Sequence, residues 1–452
     1  MHLANLTTAG IKRISGLVLA VLIYTASSAQ DNSPYSRYGI GDLTPNQNVV
    51  SRGMGGISAG YSDYRSINFS NPASLANMNT TIFDLGGEVG IRTLKSTTAS
   101  EKSRSTNTII SYLQVGFPLM SRKLKKSDKE KSVFWGMSFG IRPVTRINYK
   151  IEKDERKQFP PLSDSLSTLY EGSGGLNQIN IGTGLRIKNF SIGINTGYSF
   201  GNKDYSTKLQ FVNDSVVYYK SNSQTTTRFG GVFLNIGAQY YVALKGGVLN
   251  IGAYGNLQQN LRASKDNLDE TFAYDGNGGT VNIDTISYHQ DVSGKIKIPA
   301  TYGLGFTYTN THWLWGVDFE ATNWNSYRFY NQADATQNTW TIRAGAQYYP
   351  AKENTASRKY WSFVKYRAGV YFGPDYIKLN KSRTNYAASL GASLPLITSP
   401  QHLRYGDFVY LNAGVEVGGR GNRNSFSVRE NITRINIGIS MNARWFIKRN
   451  YD

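Results

Sequence analysis

Few residues in this 452-residue chain carry the side chains that catalysis usually needs. There is no cysteine, and beyond the N-terminal leader the histidines are His289, His312 and His402. Without thiolates there is neither a disulfide framework nor a thiolate metal site. None of the three histidines neighbours a serine and an acid in a nucleophile arrangement, and each is read in a loop or turn. The string DGNGG, Asp275 to Gly279, lacks the further carboxylates of a calcium loop and reads as a turn. No catalytic residue, metal ligand or cofactor is implied. The chemistry-bearing groups are instead charges spaced among small residues: Arg92, Arg142, Arg186, Arg343, Lys365, Arg367 and Arg444, with Asp84, Glu88, Asp318, Glu320 and Glu416. Two uses fit such a set. A charged conduit would select anions. Alternatively the charges pair with a segment packed against them, Arg52, Asp63 and Arg65 being candidate partners, because buried charge needs counter-charge. Pairing is the favoured expectation.

What positions these charges is a two-residue alternation. In RINIGISMNARWFI, Ile435, Ile437, Ile439, Met441, Ala443, Trp445 and Ile447 share one face, while Arg434, Asn436, Gly438, Ser440, Asn442 and Arg444 share the other. Only a period of two keeps such a pattern sorted. The alternation recurs with Phe83, Leu85, Val89 and Ile91 against Asp84, Glu88 and Arg92, and with Trp313, Trp315, Val317 and Phe319 against Gly316, Asp318 and Glu320. About fourteen such segments begin near residues 81, 107, 133, 176, 190, 228, 248, 298, 313, 338, 360, 384, 407 and 432, and an even count suits antiparallel closure. The expected fold is all-β, a fourteen-stranded antiparallel transmembrane barrel; a soluble sandwich or propeller would not need alternation of this length. Links such as KN, KGG and NTH would be short periplasmic turns, with the Lys-rich SRKLKKSDKEK as a long exception. Asn202 to Thr227 and Ala263 to Lys297 would be long outer loops. Tyr240, Tyr241, Tyr348, Tyr349, Trp361 and Trp445 sit at strand ends, where interfacial girdles form.

Residues 1–29 place Lys12 and Arg13 before the apolar run ISGLVLAVLIY and then Ala26-Ser27-Ser28-Ala29, the order of a signal peptide cleaved after Ala29. The run is too short for a membrane anchor across about 30 Å of hydrocarbon, and no cysteine is present for lipoprotein processing. The formal charge of +20 would suggest nucleic acid in a cytosolic protein. On an exported barrel, basic loops and rims meet anionic lipid headgroups instead.

Residues 30–80 then have no place in the wall. They are rich in Gly and small polar residues yet carry Leu43, Val49, Val50, Met54, Ile57, Ile67, Phe69 and Leu75, more apolar content than a dangling tail usually has. The stretch RGMGGISAGYSDYRSINFSNPASLA, Arg52 to Ala76, resembles the N-terminal hatch of the FadL/PorV-like family of outer-membrane barrels, and SPYSRYGIGDL is similar to a recurrent start of Bacteroidota outer-membrane proteins. The resemblance implies a plugged fourteen-stranded barrel at residues 81–452, with Gly53, Gly55, Gly56, Asn71, Pro72 and Ala73 as hatch residues. It implies location in the outer membrane of a Gram-negative, Bacteroidota-like bacterium. It also implies one of two tasks: a passive route for small hydrophobic compounds, or a part of a secretion machine such as type IX. The inward positions Asn180, Gly182, Gly184, Ser191, Gly193, Asn195, Asn250, Gly252, Thr307, Ser389, Gly391 and Ser393 are small and polar, whereas a hydrophobic route needs bulky apolar lining. The expected function is therefore a non-enzymatic accessory subunit of an outer-membrane assembly or secretion machine. Its partners would be outer-membrane lipids and other envelope proteins, barrels or lipoproteins. Passive transport of a small hydrophobic ligand is the alternative.

Overall fold

A computed structural model of the chain describes residues 33–96, 102–120, 133–159, 162–212, 219–275, 279–351, 359–379, 381–397, 407–421 and 428–443. The wall is a closed fourteen-stranded antiparallel β-barrel. Its strands are β1 (Thr81–Lys95), β2 (Lys102–Met120), β3 (Val133–Phe159), β4 (Leu162–Ile187), β5 (Phe190–Phe211) and β6 (Lys220–Leu244). Next come β7 (Gly247–Asn256, continuing as Gln259–Tyr274) and β8 (Thr280–Ile298, continuing as Thr301–Thr309). The last six are β9 (Trp313–Thr322), β10 (Thr339–Tyr348), β11 (Lys365–Lys378), β12 (Ser382–Pro395), β13 (Val409–Arg420) and β14 (Arg429–Ala443). Closure is by β14 on β1, from Arg429 opposite Lys95 to Ala443 opposite Thr81. The alternation works as the sequence requires: Ile435, Ile437 and Met441 are exposed on the outside, while Arg434, Asn436 and Ser440 are buried inside. Each of the fourteen segments anticipated from periodicity corresponds to one strand.

Two expectations need correction. Asn202 to Thr227 and Ala263 to Lys297 are largely wall, not loops, because β5 to β8 run on as paired strands. About ten tilted residues cross a bilayer, and β9 has ten, yet β3 has 27 and β6 has 25. The surplus projects beyond the end opposite the short turns, the outer side. These extensions were hidden because they are polar on both faces. Side-chain pairs between strands take the place of an apolar stripe: Asn222 donates to Glu270 at 2.8 Å, Ser223 to Asp269 at 2.7 Å and Thr225 to Asn267 at 3.2 Å. His289, expected in a loop, is in β8 for the same reason. The second correction concerns the girdle. Tyr240 is exposed, but Tyr241 points inward and its hydroxyl meets Asn77, since consecutive strand residues face opposite sides. Trp445 lies outside the described residues.

One seam interrupts the wall. β2 pairs with β1 from Lys102 to Gly116 but with β3 only from Leu113 to Met120. Beyond that point the free edge of β3 is paired from within, Asp42 opposite Arg146 and Leu43 opposite Thr145.

The residues making that repair belong to the N-terminal segment, which lies inside the barrel. It starts in the outer half, where Ser33 Oγ donates to Glu430 at 3.0 Å and Tyr35 to the Val428 carbonyl at 2.8 Å. A one-turn helix, Val49–Arg52, is capped by Asn48, whose side chain accepts from Ser51 N–H at 2.8 Å. The chain reaches the short-turn end at Asp63 to Arg65, turns back, and runs through a 3-10 turn, Pro72–Asn77, into β1. Met54, Ile57, Ala59, Tyr61 and Ala73 have no exposed surface.

Candidate functional site

The candidate site is the contact between this segment and the inner wall. Its floor is glycine. Gly136, Gly184, Gly193 and Gly237 are cross-strand neighbours on β3 to β6, and a Cβ at any of them would collide with Asn71, Pro72, Leu75 or Ala76. Gly316, Gly345 and Gly369 form a second row across β9 to β11, against which Met54, Gly55 and Ile57 lie. Gly55 and Gly56 have φ of 68° and 87°, which glycine adopts without steric cost. Gly53 ends the short helix in right-handed conformation and passes Gly391, where a Cβ would come within 3.3 Å of its Cα.

Asn71 ties three layers together. Its side-chain amide donates to the Ala59 carbonyl at 2.7 Å and to the wall carbonyls of Ala238 and Ala253 at 3.3 Å. Its Oδ1 accepts from Ala73 N–H at 3.1 Å, capping the turn that Pro72 starts. Pro72 pre-sets its own φ and biases Asn71 to extended backbone, which is what Asn71 adopts at φ −118°, ψ 101°.

Inward charges fall into groups. In mid-lumen Arg52 pairs with Glu88 at 2.6 Å and Glu416 at 3.3 Å, while Arg434 pairs with Glu416 and, at 3.5 Å, with Glu88. Each of these side chains is at most 8% exposed, so two guanidiniums neutralise two carboxylates out of water. Glu320 pairs with Arg343 at 2.9 Å and accepts from Tyr254 at 2.6 Å. Arg142 donates to Asn46 and to Gln178, the latter at 2.8 Å, and Arg367 donates to Gln347 at 2.9 Å and Ser393 at 2.5 Å. Arg186 donates to Asn77 at 2.5 Å near the short-turn end. Arg444 lies outside the described residues. Of the candidate partners, Asp63 meets Lys365 at 2.9 Å, and Arg65 stacks over Tyr64 with 4.4 Å to the ring centroid.

Asp84 and Asp318 do something else. Asp318 accepts from Ser58 N–H at 2.5 Å and Ala59 N–H at 2.8 Å, and Asp84 accepts from Ile67 N–H, Tyr112 and Ser440, each at 3.1 Å. An irregular buried backbone must find acceptors for its amides, and these carboxylates provide them.

A further group near the outer end contains Arg92, expected to face the lumen, with partners that were not singled out from sequence. Asp42 bridges Arg92 and Arg420. Glu430 joins Arg92 and Arg383, each at 3.3 Å, Arg383 meets Asp375 at 3.1 Å, and its guanidinium lies 3.5 Å from the Tyr35 ring centroid. Burial by itself would raise the pKa of the Asp42 carboxyl, but Arg420 and Arg92 hold it well below the usual carboxylate range. Arg420 was readable as inward from the parity of Glu416, and Arg383 from that of Ser389 and Gly391; Asp42, in a stretch without periodicity, carried no such signal.

Among the described residues, cavities border the segment at both ends. One of about 240 Å³, lined by Asn46, Arg52, Arg343, Arg434, Glu320 and Glu416 among others, lies in the outer half. Another, of about 800 Å³, opens at the short-turn end.

The fold has solved counterparts. It is similar to a FadL homologue of Pseudomonas aeruginosa, with 12% identity over 89% of this chain and 99% of that one and a TM-score of 0.54. It is similar to the toluene transporter TodX of P. putida, with 13% identity, coverage of 89% and 100%, and a TM-score of 0.52. The toluene transporter TbuX of Ralstonia pickettii gives 13% identity, coverage of 88% and 99%, and a TM-score of 0.51. Identities this low carry the fold alone, that of FadL-like outer-membrane barrels. Among curated proteins no sequence matches. The family model described as BamG matches residues 10–452, and the chain therefore belongs to the BamG family.

Proposed function

We propose that this barrel is a plugged, non-catalytic accessory subunit of an outer-membrane protein assembly machine, with residues 30–80 as the plug. The observation that carries the reading is the interlock of plug and wall. Glycine rows, buried ion pairs and carboxylate-to-amide bonds engage the segment from β1 through to β14. A protein that moves solutes must keep a route or open one cheaply, whereas breaking a single buried ion pair costs about 3–5 kcal/mol. The BamG family name supports a role in outer-membrane assembly, and the tall outer extensions of β3 to β8 offer docking surface. Membership of a type IX-like secretion machine is a narrower version of the same reading.

Passive transport has one observation in its favour: the solved counterparts include proteins described as toluene transporters. The charged side chains in the lining of the 240 Å³ cavity, Arg52, Arg343, Arg434, Glu320 and Glu416 among them, count against it. A C-terminally tagged copy, pulled from native membranes in mild detergent and sized, decides between them. Stoichiometric envelope partners are the expected result. A monomer carrying lipid or hydrocarbon, together with loss of uptake in a deletion strain, would overturn the reading in favour of transport.

A further inference from the structure

Six inward arginines of the mid and outer lumen, Arg52, Arg92, Arg343, Arg383, Arg420 and Arg434, each have a carboxylate partner, while Arg142 and Arg367 are buried and each bonds two side-chain oxygens of neutral residues. Arg186 differs. It donates to the Asn77 amide oxygen and to the Tyr241 hydroxyl, and its guanidinium lies 4.1 Å from the Phe134 ring centroid and 5.5 Å from that of Tyr241. It lines the 800 Å³ cavity together with Arg65, Lys365, Tyr64 and Tyr349. Among the described residues lining that cavity the one carboxylate is Asp63, already held by Lys365. Lys188 and Lys245 stand on the neighbouring two-residue turns and are exposed. The short turns mark the periplasmic end, so this is a cationic, aromatic-walled recess open to the periplasm.

We infer that the recess receives an acidic, aromatic-bearing segment of a periplasmic partner polypeptide, with Arg186 as the carboxylate anchor; the inference rests on the reading of the barrel as a machine subunit. Arg186 is half-buried with the Phe134 and Tyr241 rings beside its guanidinium, which restricts the side chain and favours a planar carboxylate at its remaining N–H groups. The aromatic faces supply contact area for side chains on either side of the acid. A lipid headgroup is a poorer fit, because the recess lies within the circle of the barrel, away from the acyl chains outside the wall. The outer cavity makes no such offer: Arg52, Arg343, Arg420 and Arg434 are neutralised in place, and Arg142 is taken up by Asn46 and Gln178.

Fluorescence anisotropy of the full chain in nanodiscs tests this with three labelled probes: a short peptide of Glu, Tyr and Ser, its Gln counterpart and its Lys counterpart. The acidic probe should bind at least about tenfold tighter than the Gln probe, with Arg186→Gln removing that preference and Arg186→Lys retaining part of it. Equal binding of the acidic and Gln probes, or an unchanged preference in Arg186→Gln with normal heat-modifiable gel mobility, would overturn the inference. So would displacement of the acidic probe by inorganic phosphate or phosphatidylglycerol vesicles as readily as by unlabelled peptide. Pull-downs of both forms separate the two readings. Loss of partners from wild type defeats the machine reading; partners retained equally by wild type and Arg186→Gln defeat this one alone.

Discussion

Replacing Arg52 by alanine should unseat the middle of the N-terminal segment while leaving the barrel closed. The side chain is 3% exposed and bonds Glu88 at 2.6 Å and Glu416 at 3.3 Å. Its removal leaves both carboxylates facing Arg434 alone, one buried negative charge in excess. Breaking a buried pair from one side costs about 3–5 kcal/mol, and since Arg434 still screens the pair the lower figure applies. At about 1.4 kcal/mol per tenfold, the segment should open about a hundredfold more often. The barrel's own ladders do not pass through Arg52, so opening should be local rather than global. Hydrogen exchange followed by mass spectrometry on the detergent-solubilised protein measures this directly. Amides of residues 48–57 should exchange about a hundredfold faster, and those of β9 to β14 should be unchanged. Arg52→Met combined with Glu88→Gln restores charge balance and should recover most of the protection. Exchange within about threefold of wild type in Arg52→Ala, or an acceleration that the double variant fails to reverse, would refute the claim that this cluster anchors the segment.

Other consequences are open to measurement. Gly369→Leu places a side chain where Met54 and Gly55 lie, so the barrel should retain heat-modifiable mobility while planar-bilayer recordings show conductance absent from wild type. Asn71→Ala removes the links to Ala59, Ala238 and Ala253 and the turn cap; a loss of about 2–4 kcal/mol in segment docking should appear as protease cleavage between residues 58 and 78. Asp318→Ala strips the acceptor from Ser58 and Ala59 and should speed exchange of those two amides above all others. Asp42 gives a pH dependence whose sign is fixed. Its carboxyl is depressed when folded, so its contribution is complete above about pH 4 and declines as pH falls toward the folded value. Protection of residues 39–44, corrected for intrinsic exchange, should therefore fall below about pH 4 in wild type and be flat there in Asp42→Asn.

The wall was legible in the sequence because a barrel strand between lipid and lumen has two unlike faces, and a period of two records both. Ile435 and Ile437 outside against Arg434 and Asn436 inside need no tertiary information to be sorted. Where both faces meet water the record vanishes, and Ser221 to Thr227 read as loop although they are ladder. Composition likewise betrayed that most of the segment described from residue 33 to 80 is buried, since Met54, Ile57 and Phe69 among glycines do not suit a solvated tail. What only the three-dimensional structure decided was partnership. Inward parity told that Glu88, Asp318 and Glu416 face the lumen, but not that Arg52 would hold two of them while backbone amides take the third. Those pairings join residues from 36 to 364 positions apart, and they depend on the height and angle at which the segment crosses the lumen. Local periodicity fixes which face a side chain is on; the path of a chain without periodicity is set only by the wall that closes around it.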